Sequence, residues 1–203
     1  IVNQLSTLCP LIDYKLEQFT MSLELSDAVT DAFITLYEKK LIYRDFRMVD
    51  FCSELKTVIS NIEVEEIQVT EPIKYVLPNG IKVDIGYMFD IKYYIDQESL
   101  NDQEKLLISK KNIDSIIVST TRPETLFGDV AVAVNPNDPR YEGLENIKLK
   151  LPLTNRLIPI IYDEQTKMDM GTGAVKITPS HDPKDYQCYL KSKNQYNLLD
   201  PIE

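Results

Sequence analysis

The chain has 203 residues, 43% hydrophobic and 27% charged, enough apolar material for a sizeable core, which excludes collagen-like and wholly disordered chains. Its 32 acidic residues outnumber 22 basic ones, and the formal net charge of −10 argues against a surface that grips a long nucleic-acid backbone by itself, while allowing a small local contact. No apolar run approaches the roughly 18 residues of a membrane span and no signal peptide opens the chain, so a soluble, cytoplasmic protein with no membrane partner is expected.

Ile1 in place of an initiating Met reads as a segment of something larger. Ser26 to Leu41 carries a helical pattern with Val29, Ala32, Phe33, Leu36 and Tyr37 on one face, and Ser26 is the predicted N-cap. After about residue 60 the period becomes alternating and β-branched, predicting strands over Ile62–Val69, Ile73–Leu77, Ile81–Ile85 and Tyr87–Ile95. Pro78-Asn79-Gly80 reads as a hairpin turn. Residues 96–112 are polar and charged and read as a long hairpin tip or partly disordered insertion. Strand signals return at Ile113–Thr121, Val130–Val134, Leu157–Tyr162 and Ala174–Thr178. Seven or eight short strands with few helices predict an α+β fold built on an antiparallel or mixed barrel. The expected organisation is a helical lead-in over 1–60 and a β-rich domain over 61–203. Asp182 at an N-cap, Pro183 at the first helical position and Asp185 in the first turn predict a last helix from Pro183 to about Lys193.

Two segments stand out chemically: Ser119 to Asp129, a strand ending in a hydroxyl-rich turn with one Arg, and Gly171 to Tyr186, a glycine-flanked strand feeding a helix. Alternation places Lys176 and Thr178 on one face of that strand, able to point into one pocket. Asp182 and Asp185, three apart at a helix start, can share a side of its first turn. Two carboxylates, one Lys and several hydroxyls suit a small zwitterionic ligand. On spacing alone Asp182 is equally an N-cap, Asp185 a macrodipole partner and Lys176 an exposed edge-strand residue. His181, the single histidine, reads as a general base, a metal ligand or a hydrogen-bonded turn residue. Gly171-Thr172-Gly173 lacks phosphate-loop spacing and reads as a close backbone approach or a bulge. Cys9, Cys52 and Cys188 are scattered without ligand spacing, so neither a disulfide framework nor a metal site is predicted.

At these two segments the sequence resembles the editing domain, the inserted connective peptide, of class I aminoacyl-tRNA synthetases for branched aliphatic amino acids. Thr120-Thr121-Arg122-Pro123-Glu124-Thr125, Gly128-Asp129 and Ala131–Pro136 resemble the valyl branch's first editing motif, and Gly171–Asp185 resembles its second. Lys176-Ile177-Thr178-Pro179 separates the chain from the leucyl pattern, and Arg122-Pro123-Glu124-Thr125 from the isoleucyl one. Met170 stands where the family commonly has Phe, and Phe51 where it has Trp.

The resemblance implies a β-barrel-like editing domain that hydrolyses threonine from the 3′ end of the valine tRNA. Asp182, Asp185, Lys176 and Thr178 would be its catalytic set; Thr120, Thr121, Arg122, Thr125, Met170 and His181 would bind the substrate and the tRNA end. The signatures His-Ile-Gly-His and Lys-Met-Ser-Lys-Ser do not occur, so ATP is expected only in a separate synthetic domain, and editing needs no cofactor or metal. The expected partners are the tRNA 3′ end and the remainder of a synthetase, with a monomer as the expected state. A leucyl- or isoleucyl-type editing domain, or an inactive module that binds the tRNA end, is the alternative.

Overall fold

A computed structural model describes residues 1–203 other than Pro10, Pro78, Ile202 and Glu203. The chain forms two compact units, Ile1–Arg47 and Met48–Glu203, whereas the change in sequence pattern falls near residue 60.

The first unit contains α1 (Val2–Leu8), a 3-10 turn at Tyr14–Leu16 and α2 (Leu23–Glu38). The Ser22 hydroxyl accepts from the Leu25 amide at 3.4 Å, so the N-cap is Ser22, and Ser26 lies one turn inside the helix. Ser22 is extended (φ −66°, ψ 156°), the backbone state in which a short hydroxyl can reach forward to the third amide. At the other end Lys40 takes φ 57°, Leu41 N–H donates to the Leu36 carbonyl and Lys40 N–H to that of Tyr37, a left-handed stop that ends the helix before Lys40. The apolar face read from the sequence, including Val29, Phe33, Leu36 and Tyr37, is exposed. Among the described residues no helix is long and apolar enough to cross a membrane.

The second unit begins with two antiparallel hairpins, β1 (Asp50–Cys52) with β2 (Thr57–Ile59) and β3 (Ile73–Val76) with β4 (Lys82–Ile85). The strand expected over 62–69 does not form. Ser60 and Glu63 instead make a reciprocal capping box around a 3-10 turn at Asn61–Glu63, which takes the first residues of that run into a turn. The expected β3–β4 hairpin is present, and Gly80 supplies its positive φ of 83°; Pro78 lies outside the described residues.

Its body is a six-stranded sheet of β5 (Phe89–Ile95), β6 (Ser115–Thr120), β7 (Ala131–Val134), β8 (Lys148–Lys150), β9 (Leu157–Tyr162) and β10 (Ala174–Ile177). The order is β10-β7-β9-β8-β5-β6, antiparallel except for the parallel pair β7 and β9. The terminal strands β10 and β6 touch, so the sheet nearly closes into a barrel. The fold is therefore α+β on a mixed, barrel-like sheet, as the strand density predicted.

Between β5 and β6, the 96–112 segment contains a helix, α3 (Asp102–Lys111), in place of the expected irregular tip. Asn101 and Glu104 exchange cap hydrogen bonds of 2.9 and 2.8 Å, Lys110 and Lys111 sit in the last turn, and Asn112 ends it in the left-handed conformation. Only Ile108 of this helix is buried; end-capping rather than an apolar stripe specifies it.

Tyr93, Val118, Val132, Leu149, Ile158 and Ile160 belong to one buried cluster. Val130, Ala131, Ala133, Ile161 and Ile177 join Cys188, Tyr189 and Tyr196 of α4 (Pro183–Tyr196) in a second. Strand β7 serves both, which explains its unbroken run Ala131-Val132-Ala133-Val134. This arrangement holds the end of β6, the turn after it and the β10–α4 corner against one another.

Candidate active site

A 3-10 turn at Pro123–Gly128 follows β6 and carries Thr125, while β10 carries Lys176, with Thr178 just beyond it. Lys176 and Thr178 converge on Asp129, which is fully buried, and Thr125 joins them through Lys176. Lys176 Nζ donates to Asp129 Oδ1 at 3.0 Å and to the hydroxyls of Thr125 and Thr178, both at 2.6 Å. Thr178 Oγ1 donates to Asp129 Oδ1 at 2.6 Å, and the Tyr93 hydroxyl reaches Asp129 Oδ2 at 2.7 Å. Lys176 is only 7% exposed and Thr178 1%.

Burial pushes the Asp129 carboxyl up from its ordinary range, and the Lys176 ammonium and the Thr178 and Tyr93 hydroxyls pull it back. Burial first, then the adjacent carboxylate, holds the Tyr93 phenol far above its usual value, so it remains a donor. The edge-strand reading of Lys176 is thus excluded: its ammonium is satisfied inside the domain by a counter-charge and two hydroxyls.

A second cluster lies further out. Asp182 caps α4, its Oδ1 accepting from the Lys184 amide at 2.8 Å and the Asp185 amide at 3.3 Å. Its Oδ2 accepts from Arg122 at 2.8 Å, and the same guanidinium donates to the His181 carbonyl at 2.8 Å. Asp182 therefore has both oxygens engaged by protein, and Arg122 links the two sequence segments. Asp185 is half-buried beside them; its Oδ2 accepts the Thr178 amide at 2.9 Å. Burial, aided by the charge of Asp182, pushes the Asp185 carboxyl up to about 6 against the pull of the Thr178 amide.

The remaining predicted residues frame this corner. Thr120 Oγ1 accepts from the Arg122 amide at 3.1 Å, and Thr121 is exposed. His181 is exposed; its amide donates to the Thr178 carbonyl at 3.0 Å, so its backbone forms the turn into α4. Met170 is 68% exposed in the loop before β10. Gly171 brings that loop against β6, where an added Cβ would lie 3.3 Å from the Ser119 side chain. At Gly173 (φ 76°) a Cβ would collide with Arg140 and the Met168 carbonyl, so Gly-Thr-Gly marks a close backbone approach, as its spacing predicted.

Asp129, Tyr93 and Arg156 were missed as site residues. Arg156 donates to the carbonyls of Phe127 (3.0 Å) and Asp129, bracing the turn from below. Asp129 had a readable signal: a lone carboxylate opening the run Asp129-Val130-Ala131-Val132 is headed for the interior and needs a cation. Tyr93 and Arg156 lie on other strands or loops and carried none.

The model for tRNA synthetases class I (I, L, M and V) matches residues 1–131, more than half of the chain. The chain belongs to that class I synthetase family. Valine–tRNA ligases are similar along nearly its whole length: 41% identity over 193 residues with that of Carboxydothermus hydrogenoformans (95% of this chain, 19% of the ligase), and 42% over 195 residues with that of Schizosaccharomyces pombe (92% and 18%). The ligase of Agrobacterium fabrum is 39% identical over 205 residues, 98% of this chain and 20% of its own length. The chain thus spans about a fifth of these relatives. The crystal structure of GlLeuRS-CP1 superposes with a TM-score of 0.45 and 21% identity over 55% of this chain and 62% of that one.

Proposed function

We propose that this chain is the editing domain of a valine–tRNA ligase and hydrolyses the ester joining threonine to the 3′ end of the valine tRNA. The observation that carries the reading is the meeting of the two segments that resemble the editing motifs. About fifty residues apart in sequence, they join through Lys176 on Thr125 and Arg122 on Asp182, and they enclose carboxylates, hydroxyls and an ammonium.

A hydrophobic synthetic pocket cannot strongly reject an isostere that merely adds a hydroxyl, and valyl synthetase with threonine is the established case. A second pocket that hydrogen-bonds the hydroxyl reverses the preference, because a valine methyl would leave polar groups unpaired there. Asp185, with one oxygen committed to the Thr178 amide, offers its other oxygen to the α-ammonium. Asp182 holds Arg122 and the helix start in place, and Thr125, backed by the buried Lys176 and Thr178, forms the polar wall facing the amino-acid side chain. Water attacks the ester carbonyl, oriented by these groups and by ribose hydroxyls, and the tRNA leaves as its free hydroxyl. The net charge of −10 suits a domain that receives only the acceptor end, with the remainder of the synthetase supplying most tRNA affinity.

In the full-length ligase, Asp185→Ala should lower deacylation of threonyl-tRNA by about a hundredfold or more; an unchanged rate would reject the assignment. A panel of tRNAs mischarged with other amino acids separates this specificity from a leucyl- or isoleucyl-type one.

A further inference from the structure

The resemblance assigns no role to Asp129, yet Lys176, Thr178 and Tyr93 all bond to its carboxylate. An ammonium only donates, so the hydroxyls of Thr125 and Thr178, each 2.6 Å from Lys176 Nζ, must accept from it. Each hydroxyl then has a single hydrogen to place. That of Thr178 goes to Asp129 Oδ1 at 2.6 Å, and that of Thr125 goes to the Arg122 carbonyl at 3.0 Å. All three hydrogens of Lys176 are likewise committed, to Asp129, Thr125 and Thr178. What each hydroxyl retains is a lone pair.

We propose that Asp129 is a specificity-determining positioning residue: by fixing Lys176, which donates to Thr125 while the Thr125 hydrogen goes to the Arg122 carbonyl, it leaves Thr125 able only to accept a hydrogen bond from a ligand. Thr125, half-buried where Thr178 is 1% exposed, is the outward member of the pair. A threonyl side chain supplies the hydrogen that such a wall requires, and a valyl side chain offers none. A free hydroxyl wall, able to turn and donate or accept, would discriminate less sharply. Two further contacts keep Asp129 from turning: Tyr93 occupies Oδ2, and Arg156 holds the backbone carbonyl of Asp129. The inference rests on the editing reading and deepens it.

The test uses the full-length ligase and measures deacylation of threonyl-tRNA and valyl-tRNA, both on the valine tRNA, with thermal melts of each variant. Asp129→Asn keeps the shape but replaces a charged acceptor by a weaker neutral one. It should lower kcat for threonyl-tRNA about tenfold or more, with KM within about twofold and the slow valyl-tRNA rate little changed, so that selectivity collapses. Tyr93→Phe keeps the charge and frees only Oδ2. It should move selectivity in the same direction by about two- to fivefold, and it supplies the test if Asp129→Asn does not fold. Selectivity held within about twofold of the parent in both folded variants, including a parallel fall of both rates, would mean a merely structural role and overturn the proposal. A parent ligase that shows no preference for threonyl-tRNA would instead overturn the editing reading, and this inference with it.

Discussion

Two ion pairs tie the same turn to the same corner of the barrel: Lys176 to Asp129 at 3.0 Å and Arg122 to Asp182 at 2.8 Å. The side chains of the first are 8% and 0% exposed, those of the second 48% and 31%. Distance is nearly the same and energetic meaning is not. With no water to replace a lost partner, the inner pair and its hydroxyls admit one arrangement, whereas solvent screens the outer pair and lets it separate at little cost. On the proposed editing reading, the fixed donors and acceptors form the side that sorts the amino acid, and the screened guanidinium forms the side that meets the nucleotide.

Breaking the inner pair on one side gives the largest expected effect. Lys176→Met leaves a buried carboxylate without its cation and should cost about 3–5 kcal/mol in urea unfolding, whereas Lys176→Met with Asp129→Leu should recover most of that loss. An equal loss in single and double variants would show that the charges are not coupled. Next, Asp182→Ala removes the cap of α4 and should cost about 1 kcal/mol, read in the same assay. Arg122→Gln removes the screened pair and the guanidinium's exposed bond to the His181 carbonyl. Its cost should stay below about 1 kcal/mol and shrink further in high salt, while deacylation by the full-length ligase still falls; a larger stability loss would make the outer pair resemble the inner one.

The pH dependence sharpens the contrast through Asp185. Its folded-state value of about 6 lies above the ordinary 3.8, so between these values the folded chain binds more protons than the unfolded chain, and this group's contribution to stability falls as pH rises from about 4 to 6. If Asp185 binds the α-ammonium as proposed, activity has the opposite slope, because the carboxylate is the binding form: enzymatic deacylation should rise through an inflection near pH 6. In Asp185→Asn the inflection should be absent from whatever rate remains, and its persistence would assign the titration to another group.

The barrel was legible because burial wrote itself into the strands. Among the barrel strands, alternation marked β5, and the two-faced burial of β7 left an unbroken apolar run. The helix start at Asp182-Pro183 was equally plain, since capping is a local interaction. What escaped was decided by other short-range contests or by distant partners. The capping box at Ser60 and Glu63 displaced an expected strand, paired caps made a helix of the polar 102–111 segment, and Ser22 took the cap expected of Ser26. In the site, Lys176 and Thr178 were placed on one face by period alone, but their partner Asp129 sits on another segment, and Tyr93 on another strand again. Sequence spacing exposes neighbours along one element; it carries no signal for an acceptor that tertiary folding brings in.

The most direct measurement is a side-by-side deacylation time course of threonyl-tRNA and valyl-tRNA, prepared on the same valine tRNA, by the full-length ligase that contains this chain. Rapid loss of threonine with valine left largely in place is the expected result. Equal rates for the two esters, or loss of neither, would contradict the claim that this corner of the barrel sorts amino acids by their hydroxyl.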